Sequence, residues 1–288
     1  MQDSFERLRS FYSTPSLWTG ELLSMKQFSL NQLNFSYSDQ QKSEIHLPDI
    51  PYGTVLGKRA EYYFKFCVEQ STIYRCLISN LQIFKGKTTV GELDFIVEDC
   101  NSNKMYHVEL VYKFYIYDPE IAYVKKDDSD FELKNELARY VGPNRRDHLL
   151  KKLYRLKRHQ LPLLYRSETI EVLEKQGVEV NKLQQRVCFL AQVFIPQRLW
   201  DHDFPYLNRK CIVGYYVRVS AFAKARTEHS YYLPHKHQWK MQPFMEVGKA
   251  YKHNEILTEV LSSLDRKYAP LLWMSSENGW ERFFVIAD

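Results

Sequence analysis

Between residues 105 and 116, apolar and polar positions alternate with a period of two. Tyr106, Val108, Leu110, Tyr112, Phe114 and Ile116 are apolar, and His107, Glu109 and Lys113 fall between them. This alternation predicts a strand with one packed face and one polar face. Apolar runs at 80–85 and 93–97 predict two preceding strands, joined by a turn from Gly86 to Gly91. Turn chemistry recurs at 99–104. Helical spacing marks 57–70, with Tyr62, Tyr63, Phe64 and Phe66, and 145–160, with a stripe of Leu149, Leu150, Leu153 and Leu156.

The flanking segments are less regular. Residues 1–35 predict short helices through Phe5, Leu8 and Phe11 and then Leu22, Leu23 and Met25; 36–52 is a polar connector ending in Pro48 and Pro51. Residues 117–142 look like an insertion, partly loop, with a charged run at 125–130. Gly142-Pro143-Asn144 opens the 145–160 helix, and a further helix is expected at 168–176. The last third predicts strands at 187–195, 212–220, 271–275 and 282–286, with a hairpin signal at Asn278-Gly279. A helix at 255–267, with Asn254 as its N-cap, precedes that hairpin. The order predicts an α/β protein of the α+β type, divided into an N-terminal helical segment and connector (1–50), a core (51–165) and a strand-rich α/β extension packed on that core (166–288).

Composition narrows the picture modestly. The 288 residues, 44% hydrophobic and 26% charged, are ordinary for a globular protein of one or two domains. Tyr and Phe are abundant, which fits aromatic cores as well as stacking surfaces. A net charge of +5 does not by itself indicate a nucleic-acid partner, so the distribution of charge matters more. Five widely spaced cysteines without a C-x-x-C argue against a zinc ribbon and for reduced thiols. The stretch from Met1 to Arg7 lacks a signal peptide's apolar run, and no segment approaches the roughly 18 apolar residues of a membrane span. The expectation is a cytoplasmic protein with no membrane partner.

The chemistry concentrates in acids. Alternation puts Glu92 and Asp94 on one face of their strand and Glu109 on the polar face of the next. If the two strands pair as a hairpin, Asp94 and Glu109 meet. Two desolvated carboxylates at close range repel, and a divalent cation removes that penalty. Oxygen ligands with open positions suit Mg²⁺ or Mn²⁺, which can activate water against a phosphoryl group. Glu61 on the preceding helix can point at the same place. The plain alternative is three solvated acids on an open sheet face.

The order helix-Glu61, Gly91-Glu92-Leu93-Asp94, then Glu109 with downstream Lys113 resembles the PD-(D/E)XK nuclease core. More closely, Thr89-Val90-Gly91-Glu92-Leu93-Asp94-Phe95, the run from His107 to Tyr115, and Gly142-Pro143-Asn144 with Asp147 resemble a bacterial domain-of-unknown-function family, number 1853. The likeness is firm over roughly 50–165 and looser elsewhere. It implies a restriction-endonuclease-like mixed sheet flanked by helices, with Asp94, Glu109 and the Leu110 carbonyl as ligands of Mg²⁺ or Mn²⁺. It further implies Glu61 at a second ion or water, and a lysine that orients the attacking water. One departure stands out: the Glu-x-Lys pattern would put that lysine at position 111, which is Val. Lys113 is four residues past Glu109, about 13 Å along an ideal strand. A bulge would shorten that gap, or Lys152 would supply the ammonium from the helix instead.

That helix is basic. Eight Lys or Arg lie between 139 and 160 against one acid, Asp147. Arg145, Lys152, Arg155 and Gln160 are the candidate nucleic-acid contacts, with DNA favoured over RNA. The expected activity is hydrolysis of nucleic-acid phosphodiesters; the alternative is an inactive nuclease-fold module that binds nucleic acid or protein. Other signals fail. Gly86-Lys87-Thr88 lacks the upstream glycine of a phosphate loop. His235 and His237 have no nearby cysteine, and the tryptophans of the last third read as core.

Overall fold

A strand 14 residues long, Lys104–Tyr117, realises the alternating segment. In chain order the elements are α1 (Gln2–Tyr12), a small hairpin of β1 (Glu21–Leu22) and β2 (Met25–Lys26), α2 (Leu56–Glu69), β3 (Tyr74–Lys85), β4 (Thr88–Asp99) and β5 (Lys104–Tyr117). Then come α3 (Phe131–Ala138), β6 (Tyr140–Val141), α4 (Leu149–Arg155), α5 (Ser167–Lys175), β7 (Leu183–Ile195) and β8 (Ile212–Arg218). The chain closes with α6 (Val219–Lys224), β9 (Tyr231–Tyr232), α7 (His253–Asp265), β10 (Leu271–Ser276) and β11 (Gly279–Ile286). The computed structural model describes residues 2–35, 46–123, 129–225, 228–241, 250–277 and 279–288. The charged run at 125–130 falls mostly outside these, as do most of the 36–52 connector and Asn278.

The chain forms two compact units, Met1–Tyr112 with Lys152–Ala191 and Lys113–Lys151 with Gln192–Asp288. Each is built from two stretches of sequence, and the chain passes between them within β5, α4 and β7.

In the first unit β3, β4 and β5 form an antiparallel meander. One face packs on α1 and α2, where Leu8, Phe11, Tyr63, Phe64 and Cys67 meet Phe95, Val97 and Val108. The other face is covered by the segment after α4 and by α5, through Leu163, Leu164 and Leu173 against Ile83, Leu93 and Ile96. Both faces are thus apolar along most of the sheet, and a polar group between these layers needs a partner.

In the second unit the end of β7 runs parallel to β8, β8 runs parallel to β11, and β10 is antiparallel to both β11 and β9. Helices α6 and α7 contribute Phe222, Ile256 and Val260 to the core against Leu272, Phe283 and Val285. Mixed sheets flanked by helices make this an α+β protein, as expected.

Several local expectations shift. Residues 219–220 belong to α6 rather than to the strand before it. Asn254 lies inside α7; the helix begins after Lys252, whose backbone N–H is accepted by Glu255. The segment 117–142 contains α3 and β6. The expected 145–160 helix is α-helical over Leu149–Arg155, then widens to a π-helix over Leu156–Gln160 and tightens to a 3₁₀ turn over Leu161–Tyr165.

Candidate active site

The β4–β5 ladder pairs Asp99 with Lys104 and runs up to Phe95 opposite Val108. The next antiparallel pair in that register is Asp94 and Glu109. There the backbone ladder gives way to a side chain: Asp94 Oδ2 accepts the Leu110 N–H at 2.8 Å. The carboxylate thus replaces a strand carbonyl and is fixed at the place where the strands part.

The same position is irregular on the other side of β4. Ser79 pairs with Phe95 and Leu81 with Leu93, which places Asn80 opposite Asp94. Asn80 has a left-handed backbone, φ 55°, a conformation that costs energy inside a strand. Across it the buried face switches: Ile78 and Leu81, three residues apart, join one apolar cluster, and so do Leu93 and Ile96. The twist also aims the Asn80 amide at α2, where its Nδ2 donates to Glu61 Oε2 at 2.7 Å. Glu61 is further paired with Lys58, which also reaches Glu92 at 3.5 Å.

Glu109 is fully buried. Such a carboxylate needs donors on both oxygens, and it has them. His107 Nε2 lies 3.0 Å from Oε1, and Gln160 Nε2 donates to Oε2 at 2.6 Å. His107 is itself fully buried, and the Gln185 amide nitrogen sits 3.3 Å from its Nδ1 and donates to the Leu161 carbonyl at 2.6 Å. An amide that donates to Nδ1 makes Nε2 the protonated nitrogen, so the ring donates to Glu109.

Lys152 completes the cluster. Its Nζ donates to Gln160 Oε1 at 2.7 Å, and its charge acts on Asp94. In an unbroken α-helix residues eight apart would diverge by about 80°. The π-helix between them turns less per residue and carries Gln160 back towards the Lys152 side. Burial pushes the Asp94 carboxyl well above the usual range, and Glu109 and then Glu61 push it the same way; the Leu110 N–H and Lys152 act against them.

Of the expected site residues, Glu61, Asp94, Glu109, Leu110, Lys152 and Gln160 come together in the first unit. Arg155 is exposed on the same helix, next to exposed Lys157 and Arg158. Lys113 and Arg145 lie in the second unit and are held by acids there. Lys113 donates to both Asp147 oxygens at 3.0 Å, and Arg145 donates to Asp118 at 2.8 Å. Sequence reasoning missed His107 as an orienting group, and missed Asn80 and Gln185 altogether. His107 two residues before Glu109 on the same strand face was the available signal.

One protein-family profile matches residues 11–286. The chain belongs to that family, described as domain of unknown function DUF1853. The match spans both units, so the cluster sits in a DUF1853 framework that includes the last third of the chain. No curated protein and no solved structure matches the chain. Among the described residues of this DUF1853 chain no helix is long and apolar enough to cross a membrane. Nor, among them, are three or more His, Cys, Asp or Glu side chains gathered as a metal cage.

Proposed function

We propose that this DUF1853 protein is a nuclease of the PD-(D/E)XK type that hydrolyses nucleic-acid phosphodiester bonds with Mg²⁺ or Mn²⁺, DNA being favoured over RNA. The observation that carries it is the pairing of Asp94 with Glu109 at the parting of β4 and β5, with Lys152 delivered beside them.

The donor set fits a hard cation. Asp94 Oδ1 makes no hydrogen bond among the described residues, the Leu110 carbonyl lies on the residue that Asp94 holds, and Glu109 can share Oε2 between Gln160 and an ion. Two carboxylates and a carbonyl leave most positions to water, which suits Mg²⁺ and its reluctance to dehydrate. When bound, the ion supplies positive charge to the phosphoryl oxygens and lowers the pKa of water. The protein does the rest. His107 and Gln160 fix the Glu109 carboxylate, the Leu110 N–H fixes Asp94, and the Lys152 ammonium is poised to orient a water or steady charge on the phosphate. Glu61, held by Asn80 and Lys58, adds a third acid whose charge acts on Asp94. Exposed Arg155, Lys157 and Arg158 lie on the Lys152 helix and its continuation, where backbone phosphates would meet them.

A second reading has its own support. Both Glu109 oxygens already hold protein donors, and the lysine of a Glu-x-Lys motif is absent from position 111. An inactive nuclease-fold module that binds nucleic acid or protein would tolerate both. Incubation of the purified protein with plasmid, branched and single-stranded substrates in Mg²⁺ or Mn²⁺ separates the two. Cleavage lost in Asp94→Ala supports the nuclease; cleavage that survives Asp94→Ala removes these residues from the chemistry, and no cleavage of any substrate favours the inactive module.

A further inference from the structure

The first unit has a second concave feature beside the carboxylate cluster. A cavity of about 370 Å³ lies among Lys26, Leu161, Tyr165, Gln184, Gln185 and Arg186. That volume falls within the range of small-molecule sites. No carboxylate lines it, whereas two cations do. The Lys26 ammonium is exposed and makes no ion pair among the described residues. The Arg186 guanidinium is fixed: it donates to the Gln185 carbonyl at 2.8 Å and to Gln184 Oε1 at 2.7 Å, and lies 5.2 Å from the Tyr106 ring.

Tyr165 lines the cavity and is 57% exposed. The Gln184 amide nitrogen and the Gln185 amide oxygen make no hydrogen bond among the described residues, so a donor and an acceptor remain for an occupant. The lip is the β1–β2 turn, where Leu23 and Ser24 both have left-handed backbone, φ 51° and 64°. Such two-residue turns favour Asn-Gly. A leucine in that conformation is strained, and strain of this kind collects at binding sites. Gln185 joins the cavity to the cluster, because its amide nitrogen reaches His107, which holds Glu109.

We propose that this cavity binds a nucleotide unit, with its phosphate on Lys26 and Arg186, its base on the Tyr165 ring, and the Gln184 and Gln185 amides at the base edge. The ligand class rests on the nuclease reading; the cationic, aromatic and amide lining does not. The unit can belong to a strand that crosses the carboxylate cluster or to a free nucleotide.

Calorimetry on the full chain in EDTA tests this, with thymidine 5′-monophosphate, hexathymidylate and inorganic phosphate as titrants. Both nucleotide titrants bind saturably, with inorganic phosphate about tenfold weaker or worse, because the base contributes by stacking. Tyr165→Ala and Lys26→Glu, both changes of exposed side chains, each weaken binding by about tenfold or more, with melting curves confirming that they fold. Lys113→Met, a change in the second unit, leaves it intact. Tighter binding of the hexamer identifies a strand subsite, and equal binding a free nucleotide. Absence of saturable nucleotide binding, equal affinity for inorganic phosphate, or indifference to both variants overturns the proposal. Failure here with metal-dependent cleavage intact leaves the nuclease reading standing, and nucleotide binding without any cleavage does the reverse.

Discussion

Gln160 donates to Glu109 Oε2 at 2.6 Å and accepts from Lys152 Nζ at 2.7 Å, so one amide both satisfies a buried carboxylate and holds an ammonium beside it. The pairing spans 51 positions of sequence and depends on the π-helix that ends at Gln160. Gln160→Ala leaves a buried carboxylate oxygen without a partner, which costs about 1–3 kcal/mol. Urea denaturation should show that loss, and saturating Mn²⁺ should shrink it, because an ion on Glu109 replaces the missing donor.

The two lysines separate cleanly. Lys152 acts on Asp94 and is held in the cluster, whereas Lys113 is committed to Asp147 at a largely exposed pair worth roughly 0–1 kcal/mol. Lys152→Met should lower the cleavage rate by about 100-fold or more, the scale of a group that orients water or transfers a proton. Lys113→Met should stay within a few-fold of wild type. Single-turnover cleavage rates on one DNA substrate decide between them.

The Asp94 carboxyl titrates above its unfolded value because of burial and Glu109. The folded chain therefore holds a proton that the unfolded chain releases, and Asp94 costs stability increasingly as pH rises from about 4 through its folded pKa. Asp94→Asn should raise Tm in metal-free buffer near pH 7 to 8 and have little effect near pH 3. Asparagine keeps an oxygen for the Leu110 N–H, so the pH dependence isolates the charge. A Tm difference that is flat with pH would contradict this.

Lys240 is the inverse case. Burial, and then Arg282, hold its ammonium well below the usual lysine range, with the Phe114 ring 5.0 Å away. A depressed lysine costs stability below its unfolded pKa and costs nothing once pH exceeds it. Lys240→Met should raise Tm near pH 7, and the gain should fade towards pH 10 to 11.

Gly214 on β8 has no room for a side chain. A Cβ there would overlap the Arg282 carbonyl oxygen and lie 2.8 Å from the Phe194 ring. At Gly91 the obstacle is the flexible end of Leu163 at 2.5 Å. Gly214→Ala should destabilise by about 1–3 kcal/mol, the scale of overpacking, and Gly91→Ala by clearly less, as read from equilibrium unfolding.

How much of this was legible in the sequence depended on range. The β5 alternation and the Gly91-Glu92-Leu93-Asp94 run carry local information, and hairpin register alone brings Asp94 opposite Glu109. Lys152 and Gln160 were visible as residues to watch, but a 3.6-residue period does not put them on one face; the π-helix does, and nothing in Leu156–Gln160 announces it. Asn80 was hidden because a left-handed residue inside a strand is a tertiary compromise, hinted at only by asparagine's tolerance of that conformation. Gln185 lay just before the strand expected at 187–195, and its contact with His107 spans 78 positions. The two-unit division was illegible because the chain leaves and re-enters the first unit inside regular elements, without the Pro- or Gly-rich linkers that mark boundaries.

The proposed nuclease needs Asp94 and Glu109 to hold a divalent cation, and calorimetric titration of Mn²⁺ into the full chain reads that binding without any substrate. One saturable site in the wild-type protein, abolished in both Asp94→Ala and Glu109→Gln while the Lys113→Met protein binds normally, is the predicted result. No saturable Mn²⁺ binding to the wild type, or binding that survives both carboxylate substitutions, would contradict it.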